Sequence, residues 1–146
     1  MQKRSQVNIV LDAWALLALI FKEEPAATSV RDVLRPEGAT QSSVHMSWIN
    51  LGEVYYSIGH RKGLGVADET LDDIKMLPIR LHEPSKSDIL AAAAIKSQHK
   101  LSYADAFAVS LAQRLEGVIF TGDPEIILLR DIVRVEKLSR LGSAEG

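Results

Sequence analysis

The run Val7-Asn8-Ile9-Val10-Leu11-Asp12-Ala13-Trp14-Ala15-Leu16-Leu17 decides the fold. Val7 to Leu11 is a short, β-branched, apolar stretch and reads as a buried strand, while the Ala/Leu-rich Ala13 to Phe21 reads as a helix. A strand that passes at once into a helix opens a βα unit, so Asp12 stands at the carboxyl end of the strand. The same order returns near the other end of the chain. Gly117-Val118-Ile119-Phe120-Thr121-Gly122 reads as a second buried strand, Asp123 follows it, and Pro124 suits the first position of a short helix through Leu129. In open α/β sheets ligands bind at this carboxyl rim.

Between these two units the pattern alternates. Glu24-Pro25 breaks the first helix, a second runs from Ala27 to Leu34, and Pro36-Glu37-Gly38 turns the chain. Val44 to Ser47 ends a short strand, and a helix from Trp48 to about Gly59 carries the stripe Trp48, Leu51, Val54, Tyr55 and Ile58. Gly63-Leu64-Gly65 reads as a flexible connection, followed by an acidic helix from Asp68 to Met76 and a strand around Ile79 to Leu81. Two helices then follow in succession, Ser85 to Lys100 and Ser102 to Leu115, and Val133 to Leu138 alternates like an edge strand. The order β-α-α-β-α-α-β-α-α-β-α-β predicts a three-layer α/β/α sandwich on a mainly parallel sheet, with right-handed crossovers. Residues 1–141 are expected to form a single domain and 142–146 a frayed tail.

The chain has no cysteine, which removes disulfides and thiolate metal sites and leaves carboxylates or histidines as ligands. Carboxylates favour hard cations such as Mg²⁺ or Mn²⁺. Lys3 and Arg4 before an apolar stretch imitate a signal peptide, but Asn8 and Asp12 interrupt it and no small-residue cleavage site follows. No other segment approaches the roughly 20 apolar residues of a membrane span, so a soluble, cytoplasmic protein is expected. A net charge of −2 argues against a nonspecific polyanion coat, since phosphate affinity comes mainly from Lys and Arg. Local basic clusters remain, His60-Arg61-Lys62 and the series Arg130, Arg134, Lys137, Arg140, which either guide a phosphate backbone or form solvated surface.

Four acids, Asp12, Glu53, Asp105 and Asp123, sit where regular elements begin or end, without an obvious cationic neighbour in sequence. Asp12 and Asp123 could each simply cap the helix that follows. Asp105 follows Ser102 at capping-box spacing, as Asp88 follows Ser85, yet it lies at the edge of the stripe Leu101, Ala104, Ala108 and Ala112, where an unpaired carboxylate is costly. Glu53 lies opposite the apolar stripe of its helix, which by itself is the place of an exposed charge. Asn50, one turn earlier on nearly the same face, is placed to hydrogen-bond and orient that carboxylate. If the sheet is wound as above, all four acids can point to one rim, where they would repel one another unless cations neutralise them.

Val10-Leu11-Asp12-Ala13, Asn50-Leu51-Gly52-Glu53-Val54, Leu101-Ser102-Tyr103-Ala104-Asp105-Ala106-Phe107 and Thr121-Gly122-Asp123-Pro124, in this order and spacing, resemble a PIN-domain ribonuclease, most of all the toxin of a VapBC-type toxin–antitoxin module. The resemblance covers nearly the whole length. It implies that Asp12, Glu53, Asp105 and Asp123 are catalytic acids that bind Mg²⁺ or Mn²⁺, with Asp12 and Asp105 as main ligands and Asn50 and Thr121 as polar supports. It further implies cleavage of RNA phosphodiester bonds, a homodimer, and a small antitoxin whose C-terminal segment fills the groove. The family often carries a small hydroxyl residue shortly after the first Asp, where this chain has Ala13 and Trp14; Trp14 is read as core packing. The apolar series Leu16, Leu17, Leu19, Ile20 and Phe21 exceeds one core stripe, which favours a partner surface.

Three other readings are distinguishable. A phosphoacceptor receiver domain has the same general fold, but it carries adjacent acids after its first strand, a phosphorylated Asp after a central strand and a late Lys; here one Asp follows the first strand and no acid follows Ile79 to Leu81 directly. A catalytically inert PIN-fold binding module would have lost an acid. An RNA-processing PIN nuclease without antitoxin would lack a toxic phenotype cured by a small upstream protein. The stretch Gly59 to Gly65 is expected to be a substrate-contacting loop.

Overall fold

A computed structural model describes residues 6–35 and 42–141. The elements follow the predicted order: β1 (Val7–Leu11), α1 (Ala13–Ile20), α2 (Ala26–Val33), β2 (Ser42–Ser47), α3 (Trp48–Lys62), α4 (Leu64–Lys75), β3 (Ile79–His82), α5 (Lys86–Gln98), α6 (Tyr103–Arg114), β4 (Val118–Thr121), α7 (Pro124–Ile127) and β5 (Arg134–Lys137). The strands form one parallel sheet in the order β3-β2-β1-β4-β5. Val133 to Leu138 thus supplies an edge strand, as its alternation indicates. The predicted turn at Pro36-Glu37-Gly38 and the tail from Gly142 lie outside the described residues.

Successive strands run from β1 outward to β3, and the chain then returns past β1 to place β4 on its other side. The carboxyl ends of β1 and β4 therefore flank a topological switch point, the crevice where doubly wound sheets bind ligands. Asp12 follows β1 directly, and Asp123 follows β4 after Gly122.

Alternation along the central strand sorts the core into two layers. Val10 and Ile119 face α6, whose Ala106, Phe107, Val109, Leu111 and Ala112 are buried with Ile126 of α7. Ile9, Leu11 and Val44 face Ala15 and Ala18 of α1 and Val30 of α2, and Met46 meets Leu51, Val54 and Ile58 of α3. Three layers result. Leu16 of α1 is fully buried, and Leu17, Leu19, Ile20 and Phe21 pack on the same clusters. The apolar excess of this helix is thus used within the chain, because α1 is wedged between α2 and α3, and it carries no argument for a partner.

Two expectations need correction here. The helix after β2 runs to Lys62 rather than to Gly59, and Leu64 already belongs to α4. Gly63 alone makes the junction, at φ +94°, a conformation that costs glycine little. The stretch Gly59 to Gly65 is therefore a helix-to-helix corner instead of a flexible substrate loop. Its His60, Arg61 and Lys62 sit in the last turn of α3, where cations complement the helix dipole, and the Arg61 guanidinium lies 3.8 Å from the Phe21 ring centre. No helix among the described residues is long and apolar enough to cross a membrane.

Candidate metal centre

Asp12 is 1% exposed and does cap α1: one carboxylate oxygen accepts from the Ala15 amide at 2.9 Å. The cap uses half the carboxylate. Its other oxygen accepts from the hydroxyl of Thr121, at the end of β4, and that hydroxyl oxygen in turn accepts from the Asp123 amide at 2.9 Å. The fully buried Thr121 thus ties the acid after β1 to the acid after β4. Asp123 caps α7 by accepting from the Glu125 amide at 2.8 Å.

The two Ser-x-x-Asp sequences behave differently. In α5, Ser85 accepts from the Asp88 amide and Asp88 reaches back to the Ser85 amide, closing a capping box. In α6, Ser102 accepts from the Asp105 amide at 3.0 Å, but no capping box closes, and the Asp105 carboxyl meets the Ser102 side chain instead. Asp105 is 6% exposed, and its carboxyl lies within hydrogen-bond reach of that of Asp123. Asp105, Asp123 and Glu125 each bring a carboxylate oxygen within 4.8 Å of the others.

Glu53 is not the exposed charge that its place opposite the stripe of α3 indicates. One of its oxygens, Oε1, is buried and has no hydrogen-bond partner, as is Oδ1 of the fully buried Asn50. Asn50 does not orient Glu53 either. Its Nδ2 donates to the Ala104 carbonyl at 2.9 Å, fastening α3 to the first turn of α6 beside Asp105. Helical spacing shows that Asn50 and Glu53 share a face; it does not show that α6 packs on that face and takes the amide.

The acids sense one another. Burial is the main cause that pushes the Asp12 carboxyl up to about 7, helped by the charges of Asp123 and Glu53 and opposed by the bonds from Thr121 and Ala15. Asp105 is raised by burial, then by Asp123 and Asp12, and Glu53 is raised by burial and by Asp123. All four acids named from the sequence, Asp12, Glu53, Asp105 and Asp123, are therefore brought to one rim. Glu125 is a fifth acid there that sequence reasoning missed. Its signal was available: it stands two residues after Asp123, in the first turn of a proline-initiated helix, and so at the same helix end.

The arrangement fits a hard cation. Its donors are oxygens alone, and two buried oxygens, Asn50 Oδ1 and Glu53 Oε1, lack partners, at a cost of roughly 1–3 kcal/mol each if left so. Carboxylates crowded at low dielectric either hold protons or gather positive charge.

The family model for the PIN domain matches residues 9–132. No curated protein matches the chain by sequence. Among solved structures the chain is similar in fold to VapBC2 of Rickettsia felis, described bound to a DNA fragment from its promoter, with TM-score 0.71, 12% identity, and coverage of 91% of this chain and 100% of that one. It is similar to Mycobacterium tuberculosis VapC20, described as a sarcin-ricin loop cleaving toxin, with TM-score 0.68, 15% identity, and coverage of 83% and 94%. A third similar structure is VapBC-1 of nontypeable Haemophilus influenzae, with TM-score 0.65, 16% identity, and coverage of 90% and 98%.

Proposed function

The chain belongs to the PIN-domain family, and from that premise we propose that it is a metal-dependent endoribonuclease acting as the toxin of a toxin–antitoxin pair in the cytoplasm. The observation that carries the reading is the convergence of Asp12, Glu53, Asp105 and Asp123 at the β1/β4 switch point, with two buried oxygens left unpartnered beside them. Asp12 and Asp105 are the main candidates to hold Mg²⁺ or Mn²⁺, with Asp123, Glu53 and Glu125 completing the set. Such ions, when bound, lower the pKa of water and stabilise charge on the attacked phosphate and leaving oxygen.

The chain's own groups do the rest. The Thr121 hydroxyl fixes the rotamer of Asp12 and the position of the Asp123 amide, so the acids of β1 and β4 keep one spacing. The Asn50 amide holds α3 against α6, which keeps Glu53 near enough to feel the charge of Asp123. Burial and the charge of Asp123 raise the Glu53 carboxyl, which suits it to exchange a proton with water or with a leaving oxygen. The structurally similar VapBC structures support a cognate antitoxin for this chain, and a homodimer is part of the same proposal.

The test is cleavage of a mixed RNA pool with and without Mg²⁺ or Mn²⁺, comparing the chain with an Asp12→Asn variant of equal fold content. Metal-dependent cutting that the substitution abolishes is expected. Cutting that persists in chelator, or in the variant, contradicts the assignment. Expression should arrest growth, and co-expression of a small neighbouring protein should relieve it; no effect on growth would remove the toxin reading and leave the nuclease.

A further inference from the structure

Beside the acids lies an open cleft of about 590 Å³ whose walls include Trp14, Gly122, Pro124, Leu128, Lys137 and Arg140. We propose that this cleft is a nucleotide subsite, seating the RNA residue that flanks the scissile phosphate. The proposal rests on the nuclease reading and adds to it where the strand lies and which residues grip it.

Position is the first argument. Gly122 and Pro124 flank Asp123 in sequence and both line the cleft, so whatever occupies it lies against the turn that carries that carboxylate. The second is construction. A Cβ at position 122 would stand 2.3 Å from Cζ2 of Trp14, so only glycine lets the indole reach into the turn. On the other side the Arg140 guanidinium lies 5.2 Å from the Trp14 ring centre and pairs with Glu23 at 2.9 Å. The Arg140 strand is fastened in place, because Ser139 accepts from the Ala26 amide at 3.0 Å and the Leu141 amide donates to Glu24 at 2.7 Å. Trp14 and Arg140 are thus held as a preformed surface instead of a mobile one.

Chemistry is the third. An indole, a guanidinium plane and apolar side chains offer stacking to a base, and Leu128 is 80% exposed at the cleft, a large apolar surface left to water. Stacking on aromatic rings and guanidinium planes is how single-stranded RNA is commonly held. Five carboxylates next door repel phosphates, and Lys137 and Arg140 supply cations at the adjoining wall. Apolar floor with cationic rim complements a nucleotide better than an acid-free protein segment. Its volume of about 590 Å³ also falls within the roughly 300–1,000 Å³ typical of small-ligand sites.

Leu128 and Lys137 are exposed, so the double variant Leu128→Ser with Lys137→Gln tests the cleft without touching the core. Binding of a short mixed-sequence single-stranded RNA, followed by fluorescence anisotropy in EDTA, should weaken about fivefold or more, with a salt slope lower by about one for the lost phosphate contact. With Mn²⁺ present, KM for cleavage should rise in parallel while kcat stays within about twofold. In a Trp48→Phe background, RNA should quench Trp14 emission. If the unaltered protein cuts RNA but the double variant keeps its affinity and KM, the subsite is refuted while the nuclease stands, and the cleft belongs to a protein segment or to nothing. If the unaltered protein neither binds nor cuts RNA, both readings fall.

Discussion

Asp12→Asn should stabilise the metal-free protein above neutral pH while it removes affinity for divalent cations. Burial lifts the Asp12 carboxyl from its ordinary 3.8 to about 7. Between those values the folded state keeps a proton that the unfolded chain has released, so stability falls as pH rises, by about 1.4 kcal/mol per unit. Above pH 7 the loss is complete and amounts to about 4 kcal/mol. Asn caps a helix as well as Asp, so the bond from the Ala15 amide survives. The Thr121 hydroxyl loses its acceptor, which costs about 1 kcal/mol. The variant should therefore be more stable by about 2–3 kcal/mol at pH 8 and within about 1 kcal/mol of the parent near pH 4.5. His45 acts in the opposite sense: burial lowers its pKa from 6.5 to about 4, so stability rises with pH across that window. That contribution is common to both proteins and cancels in their difference. Urea unfolding in EDTA from pH 4.5 to 8.5, followed by circular dichroism, measures it. A variant that is destabilised equally at both ends would show that Asp12 is only a cap. Saturating Mn²⁺ should reverse the order at pH 8, adding about 2.7 kcal/mol to the parent at a hundred times Kd and little to the variant.

Three further substitutions probe the surroundings. Gly122→Ala forces a methyl group to 2.3 Å from Trp14 and should cost about 1–3 kcal/mol; in a Trp14→Ala background that cost should vanish, and a double-mutant cycle by urea unfolding measures the coupling. Asn50→Ala removes the amide that ties α3 to the Ala104 carbonyl and should cost about 1–3 kcal/mol together with a weaker Mn²⁺ affinity by calorimetry; a change in stability alone would make Asn50 purely structural. Glu125→Gln leaves the backbone cap of Asp123 in place, so metal-free stability should hold or rise while Mn²⁺ affinity drops severalfold; unchanged affinity would return Glu125 to the surface.

The strand-acid-helix units at Asp12 and Asp123 were legible because two periodicities change at one residue, and the element order followed from them. The site was legible only in part. Asp105 stood out because its carboxylate bordered an apolar face, and it does leave the capping box half closed, in contrast to Asp88. The helical wheel by itself puts Glu53 in the place of an exposed charge, because it shows only which residues share a face. The burial of that face comes from α6, more than 40 residues away in sequence, which also captures the Asn50 amide. The loop expected at Gly59 to Gly65 failed for a local reason: the glycine at 63 can turn the chain within one residue at positive φ, so no spacer is needed. Trp14 does pack on the core cluster that holds Leu11 and Ala18, as core packing requires, but nothing in the sequence shows that Gly122 lies against its ring across β1 and β4.

Mn²⁺ titration of the metal-free protein at pH 7.5, by calorimetry or by the loss of free-ion electron paramagnetic resonance signal, tests the central claim most directly when run beside Asp105→Asn. One or two ions bound by the parent, with affinity lost or reduced at least tenfold in the variant, is the predicted result. A parent that binds none, or a variant that binds equally well, would contradict the reading of the β1/β4 rim as a metal centre.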